Sequence, residues 1–144
     1  MTGNVAQVFV SDQEWAAALT AIRQTLRPGG RLVFEARDPA RKAWLEWTKD
    51  QTWRRVAVPG VGPVVTWIDL TAVGPGLVSF RTTFVFDRDG TTLTSDSTLR
   101  FRDRAELARS LAAAGLTTEE VRDAQDRPGR EFVYVTRRTG SDTR

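Results

Sequence analysis

The stretch Leu26-Arg-Pro-Gly-Gly-Arg-Leu-Val-Phe-Glu35 leaves the chain few ways to fold. Pro28 restricts Arg27 away from helical geometry. Gly29 and Gly30 can take positive φ at no steric cost. A helix must stop here and the chain must turn. Leu32, Val33 and Phe34 then form a continuous apolar run, the pattern of a strand covered on both faces. Glu35, Arg37 and Asp38 follow at its carboxyl end, where open α/β sheets hold ligands.

The residues on either side extend this pattern. Val5 to Val10 is mostly apolar. Ser11 or Asp12 can cap a helix, with Glu14 as capping-box partner. Trp15, Leu19, Ile22 and Leu26 recur at helical spacing up to the glycine turn. Beyond it, Asp38 to Asp50 reads as a helix with Asp38 as cap and Pro39 at its first position. Past Gln51 the period becomes strand-like. Trp53 to Val58, Val64 to Val73, Leu77 to Phe86 and Thr91 to Phe101 are successive runs separated by turn residues, including Asp87-Arg-Asp-Gly90. They predict an antiparallel meander inside an α/β pattern. Asp103 caps a further helix with Glu106 in the capping-box position, and Gly115 fits the positive-φ residue after its end. Thr117 to Arg122 and Glu131 to Thr136 are the last strands, and residues 139–144 read as a flexible tail.

Composition narrows the chemistry. The 144 residues suit one domain. Cysteine is absent, which removes disulfides and thiolate chemistry. Histidine is absent too, and with it the usual base near neutral pH and the commonest metal ligand, so no metal site is expected. No apolar run approaches the roughly 20 residues of a membrane span, and no basic leader precedes an apolar core. The expected location is the cytoplasm, with no membrane partner. The net charge of +3, from 21 Lys plus Arg against 18 Asp plus Glu, is a weak pointer to nucleic acid.

Leu26 to Glu35 resembles the segment before and within the fifth strand of class I S-adenosylmethionine-dependent methyltransferases. Phe101-Arg-Asp-Arg-Ala-Glu-Leu-Ala-Arg-Ser-Leu-Ala-Ala-Ala-Gly-Leu116 resembles that family's late helix and the turn into its sixth strand, and Glu131-Phe-Val-Tyr-Val-Thr136 its final strand. The β-rich segment, about residues 52–101, resembles a cap-like addition of some small-molecule methyltransferases. The resemblance implies a partial Rossmann-like methyltransferase sheet with an inserted antiparallel β meander. Residues 1–138 would form this single partial domain. No Gly-x-Gly turn lies between a strand and a helix, so the chain reads as the C-terminal half of such an enzyme. The N-terminal cofactor-binding half, which in the family binds S-adenosylmethionine, is absent from it. The expectation is that the start is truncated or was called too late in the gene, which the upstream sequence would decide.

The site residues follow from the same placement, each with a structural alternative. Thr2, Gly3 and Asn4 resemble the family's cofactor-side loop, or are a loose terminus. Glu35 could orient an amine or hydroxyl or remove its proton. Arg37 could hold a substrate carboxylate. Their alternative is a surface ion pair. Trp44, Trp47, Trp53 and Trp67 could line an acceptor pocket, pack the core beside the meander, or form a subunit interface. Arg54 and Arg55, and Arg100, Arg102 and Arg104, form small basic groups. The last three share a side if the strand continues through them. Asp103 and Glu106 interrupt them, which favours a solvated face over nucleic acid.

Three functions compete. One is a methyltransferase acting on a small-molecule substrate, inactive without its other half. Another is a non-catalytic self-associating protein, a homodimer or swapped oligomer covering the exposed sheet edge. The third is a small-ligand-binding protein with a pocket rebuilt from the meander.

Overall fold

The computed structural model describes residues 1–140. The chain divides into two compact units, Met1–Arg41 together with the residues from Arg100 onward, and Lys42–Leu99 between them. The proposed tail therefore falls largely outside the described residues. Thr139, which is described, donates its hydroxyl to the Gly115 carbonyl at 2.9 Å.

In the first unit, helix α1 spans Asp12–Thr25. The Glu14 N–H donates to Ser11 Oγ at 3.1 Å and the Ser11 N–H donates to Glu14 Oε2 at 3.1 Å, a complete capping box. At the other end Arg138 donates to the carbonyls of Arg23 and Leu26, placing a cation on carbonyls left open by the last turn. The glycine turn follows. A Cβ on Gly30 would lie 2.8 Å from the Arg27 carbonyl oxygen, so this approach needs glycine.

Strand β1, Arg31–Arg37, then runs antiparallel to the last strand, β7, Glu131–Arg138. β6, Leu116–Asp123, pairs with the other side of β7, giving the order β1-β7-β6. The Arg138 N–H donates to the Gly30 carbonyl at 2.8 Å and the Asp38 N–H to the Arg130 carbonyl at 3.1 Å. Even-numbered residues of β1 thus direct their backbone groups at β7. Val33 and Glu35 direct theirs at the open edge of the sheet.

The core lies on one face of this sheet. Leu32, Phe34 and Ala36 are buried, whereas Val33 is 42% exposed. The expectation of a strand covered on both faces is corrected here. α1 and α3 (Arg104–Ala113) send Trp15, Leu19, Leu107 and Leu111 into one cluster with Phe34 and Tyr134. Among the described residues no helix of this unit contributes a second cluster. Phe34 stacks on Tyr134 with centroids 5.0 Å apart and meets Trp15 edge-on at 5.7 Å. Asp103 caps α3 as expected: its Oδ1 accepts the Glu106 N–H at 2.7 Å.

The second unit is an antiparallel sheet in the order β2-β3-β4-β5. Its strands are Arg54–Val58, Gly62–Gly74, Leu77–Phe86 and Thr92–Arg100. This is the expected meander, with ends shifted by a residue or two. The single helix expected over Asp38 to Asp50 does not form. Instead there are 3-10 turns at Pro39–Arg41 and Ala43–Glu46, then a short α2 at Lys49–Thr52. Asp38 Oδ1 accepts the Ala40 N–H at 3.0 Å, closing a local turn. Lys42 then takes φ 47, a left-handed conformation that stops helix propagation.

One-sided burial makes a direct prediction. Phe34→Ala should lower the unfolding free energy by about 3–5 kcal/mol, and Val33→Ala by less than about 1 kcal/mol, in urea titrations. Equal costs would mean that both faces are packed. Acid should also destabilise the fold. The Ser11 N–H bond holds Glu14 below its ordinary value. Hydrogen bonds from Arg81 and Arg31 do the same for Asp96 and Glu119. A depressed folded pKa gives stability that is present above the unfolded value and lost as pH falls through the folded one. Stability should therefore be flat near neutrality and fall below about pH 4.5.

Candidate functional site

A polar cluster gathers at the carboxyl end of β1. Gly3 and Asn4 both take left-handed backbone, with φ 67 and 60, and turn the chain into a 3-10 helix, Val5–Val8. The terminal amine of Met1 donates to the Val33 carbonyl at 2.6 Å, and the Gly3 N–H donates to Glu35 Oε2 at 3.0 Å. Residues 1–3 thus lie along the open edge of β1. The Gln7 N–H donates to the Asn4 carbonyl at 3.0 Å, so one tight turn carries both residues.

Arg37 connects this turn to the sheet. Its Nη1 donates to Gln7 Oε1 at 3.1 Å, and its Nε lies 4.0 Å from Glu131 Oε1. Glu131 is the residue opposite Arg37 in the β1–β7 register, and it also accepts from Arg127 Nη1 at 2.6 Å. Burial pulls the Arg37 guanidinium below its ordinary value, and the Glu131 carboxylate opposes that shift. The guanidinium still carries its charge. Asn4 and Gln7 are each only 3% exposed. Yet Asn4 Nδ2, Asn4 Oδ1 and Gln7 Nε2 have no hydrogen-bond partner. Buried amides left unpaired are unfavourable, and such positions are found where a fold leaves a polar group for another molecule.

The structure therefore brings Glu35, Arg37, Gly3 and Asn4 together, while Thr2 stays exposed beside them. It adds Gln7, Glu131 and Arg127, which the sequence reading missed. The signal for Glu131 was available, because pairing the two apolar strands antiparallel places it opposite Arg37. Gln7 carried no comparable signal, since it sits in a run that reads as apolar.

The tryptophans separate. Trp47 meets Phe80 edge-on at 4.9 Å, while Trp44 is half-buried in the Ala43–Glu46 turn. Trp53 and Trp67 line a cavity in the second unit, whose lining includes neither Trp44 nor Trp47. The basic groups also separate. β5 ends at Arg100, so alternation does not carry through Arg102 and Arg104, and the expected shared side is corrected. Arg100 pairs with Glu106 at 2.9 Å. Arg102 is buried and donates to the Phe9 and Ser11 carbonyls and to Asp12 Oδ1. It ties the start of α1 to the segment ahead of α3.

Solved structures share the fold of this chain. An S-adenosylmethionine-dependent methyltransferase from Clostridium acetobutylicum matches 96% of the chain at 13% identity, with a TM-score of 0.70. The CcbJ methyltransferase from Streptomyces caelestis matches 96% at 20% identity, with a TM-score of 0.69. CalS10 from Micromonospora echinaspora, an amino pentose methyltransferase with S-adenosylmethionine bound, matches 96% at 20% identity, with a TM-score of 0.64. The chain has part of a methyltransferase fold. It spans only 55–57% of the length of these proteins. No family model matches the chain, and no curated protein matches it by sequence.

The Arg37–Glu131 contact can be tested without any ligand. Glu131→Ala leaves a buried guanidinium without its facing carboxylate and should cost on the order of 3 kcal/mol in urea unfolding. A cost below about 1 kcal/mol, the scale of an exposed pair, would mean that the contact does not hold the strand ends.

Proposed function

We propose that this chain is the acceptor-side half of an S-adenosylmethionine-dependent methyltransferase for small molecules. It would be inactive until a cofactor-binding half completes the sheet at the open edge of β1. One observation carries this reading. At the carboxyl end of an edge strand the Gly3 N–H holds Glu35 and Gln7 holds Arg37, and the turn joining Gly3 to Gln7 carries the unpaired Asn4 carboxamide, within a fold that matches only part of each methyltransferase neighbour.

The residues present fit one side of a cofactor. Asn4, with both ends of its amide free, and the backbone of Thr2 and Gly3 would hold its polar groups. S-adenosylmethionine supplies an activated methyl group, so the protein need only bind, align and exclude water. Glu35 is oriented by the Gly3 N–H and sits where it can accept a proton from an amine or hydroxyl of the acceptor. Arg37, held by Gln7 and Glu131, fixes the position of a polar substituent on that acceptor.

A second reading rests on β2. All five of its residues are exposed and it is an edge strand, a ready template for a second copy. Sedimentation as a clean monomer at micromolar concentration would remove it.

The methyltransferase reading is tested by translating the sequence upstream of the Met1 codon. A strand, a glycine-rich turn and an acidic residue about 20 positions further on are expected. An in-frame stop immediately upstream, with no frameshift, would count against the reading. Calorimetric titration should show saturable S-adenosylmethionine binding by the extended polypeptide and none by the 144-residue chain. In the extended protein Glu35→Gln should slow methyl transfer by about 10²–10⁴-fold with cofactor affinity retained. An unchanged rate would remove Glu35 from the chemistry.

A further inference from the structure

We propose that the cleft at the start of β2 binds a planar aromatic carboxylate. The site lies wholly within the Lys42–Leu99 unit. Its cavity has a volume of about 500 Å³, within the usual range of small-molecule sites.

Strand register builds the cleft. Arg54 lies opposite Thr66, Thr66 opposite Phe84, and Ile68 opposite Thr82, so these side chains share one face of the sheet. β2 begins only at Arg54, and β3 continues past it without a strand neighbour on that side. The Thr52 hydroxyl takes the place of strand pairing by accepting the Ile68 N–H at 2.8 Å. This substitution keeps α2 against the sheet edge and leaves a gap where a strand would have continued. Trp53 stands at the junction and is 51% exposed, a large apolar ring left in water beside a concavity.

The polar groups select the ligand. Arg55 pairs with Asp87, and Arg81 pairs with Asp96. Arg54, in contrast, has no carboxylate partner among the described residues and lines the cavity. Lys49 Nζ stands 4.1 Å from the centroid of Trp67, whose side chain alternates to the other face of β3, so the cation of the cleft is Arg54. A carboxylate can accept two parallel hydrogen bonds from Arg54. An aromatic ring can lie against Trp53 and Phe84. A neutral ring would leave the guanidinium unused, and a small inorganic anion would leave the indole in water.

The test is two-dimensional amide and indole NMR of the intact chain. The probe is 4-hydroxybenzoate, compared with its neutral counterpart 4-hydroxybenzyl alcohol. Saturable shifts are expected at the Trp53 indole N–H and at the amides of Thr66, Thr82 and Phe84. The acid should bind at least about tenfold more tightly than the alcohol. Arg54→Gln should abolish that preference, and Trp53→Ala should weaken both compounds about tenfold. Both residues are exposed, and the same spectra report whether each variant is folded. No saturable shift up to about 10 mM acid would overturn the proposal. So would equal binding of acid and alcohol, or a preference that survives Arg54→Gln.

Discussion

The packing of Phe34 against Trp15, edge-on, and Tyr134, stacked, holds the first unit together. It joins α1 and β1, neighbours in sequence, to the distant β7 around a ring with no exposed surface. Burial of rings this large contributes about 1.5–3 kcal/mol each, more than any surface ion pair of the unit. It also fixes the phase of β1. With Phe34 turned inward, Val33, Glu35 and Arg37 must turn to the other face, because side chains alternate along a strand. The polar cluster at the end of β1 is thus a consequence of core packing.

The same phase sets the electrostatics. Arg37 meets Glu131 because the β1–β7 register that pairs Phe34 with Tyr134 also pairs Arg37 with Glu131. Gln7 accepts a hydrogen bond from the same guanidinium. Register, charge pairing and the turn at Gly3 and Asn4 are therefore one structural device. Its remainder is the set of unpaired amide groups on Asn4 and Gln7. Completion by a cofactor-binding half, as proposed, would give those groups partners and cover the edge of β1.

Much of this was legible in the sequence, for identifiable reasons. Ser11 with Glu14 and Asp103 with Glu106 are local signals, and both helices start where those pairs stand. The glycine and proline turns likewise delimit the strands of the meander. The errors have physical causes. Leu32-Val-Phe34 read as covered on both faces, but an apolar run does not report how many layers flank a sheet. Asp38 to Asp50 carried a cap and a proline at the first helical position. The left-handed Lys42, a property of tertiary context, breaks it. In the site, Glu35 and Arg37 were legible from their place after a strand. Gln7 and Glu131 needed the pairing of distant segments. The burial of Arg102 among the carbonyls of Phe9 and Ser11 also depended on the assembled fold.

The proposed seam with a second half is the open edge of β1. Backbone groups of Val33 and Glu35 point to that edge, whereas those of Leu32 and Phe34 point to β7. Amide hydrogen exchange, compared between the 144-residue chain and the polypeptide extended upstream, tests this directly. Rapid exchange is expected at Val33 and Glu35 in the shorter chain and protection increased by about 10²-fold or more in the longer one, with Leu32 and Phe34 protected in both. Unchanged exchange at Val33 and Glu35 in a folded extended protein would contradict the proposed seam.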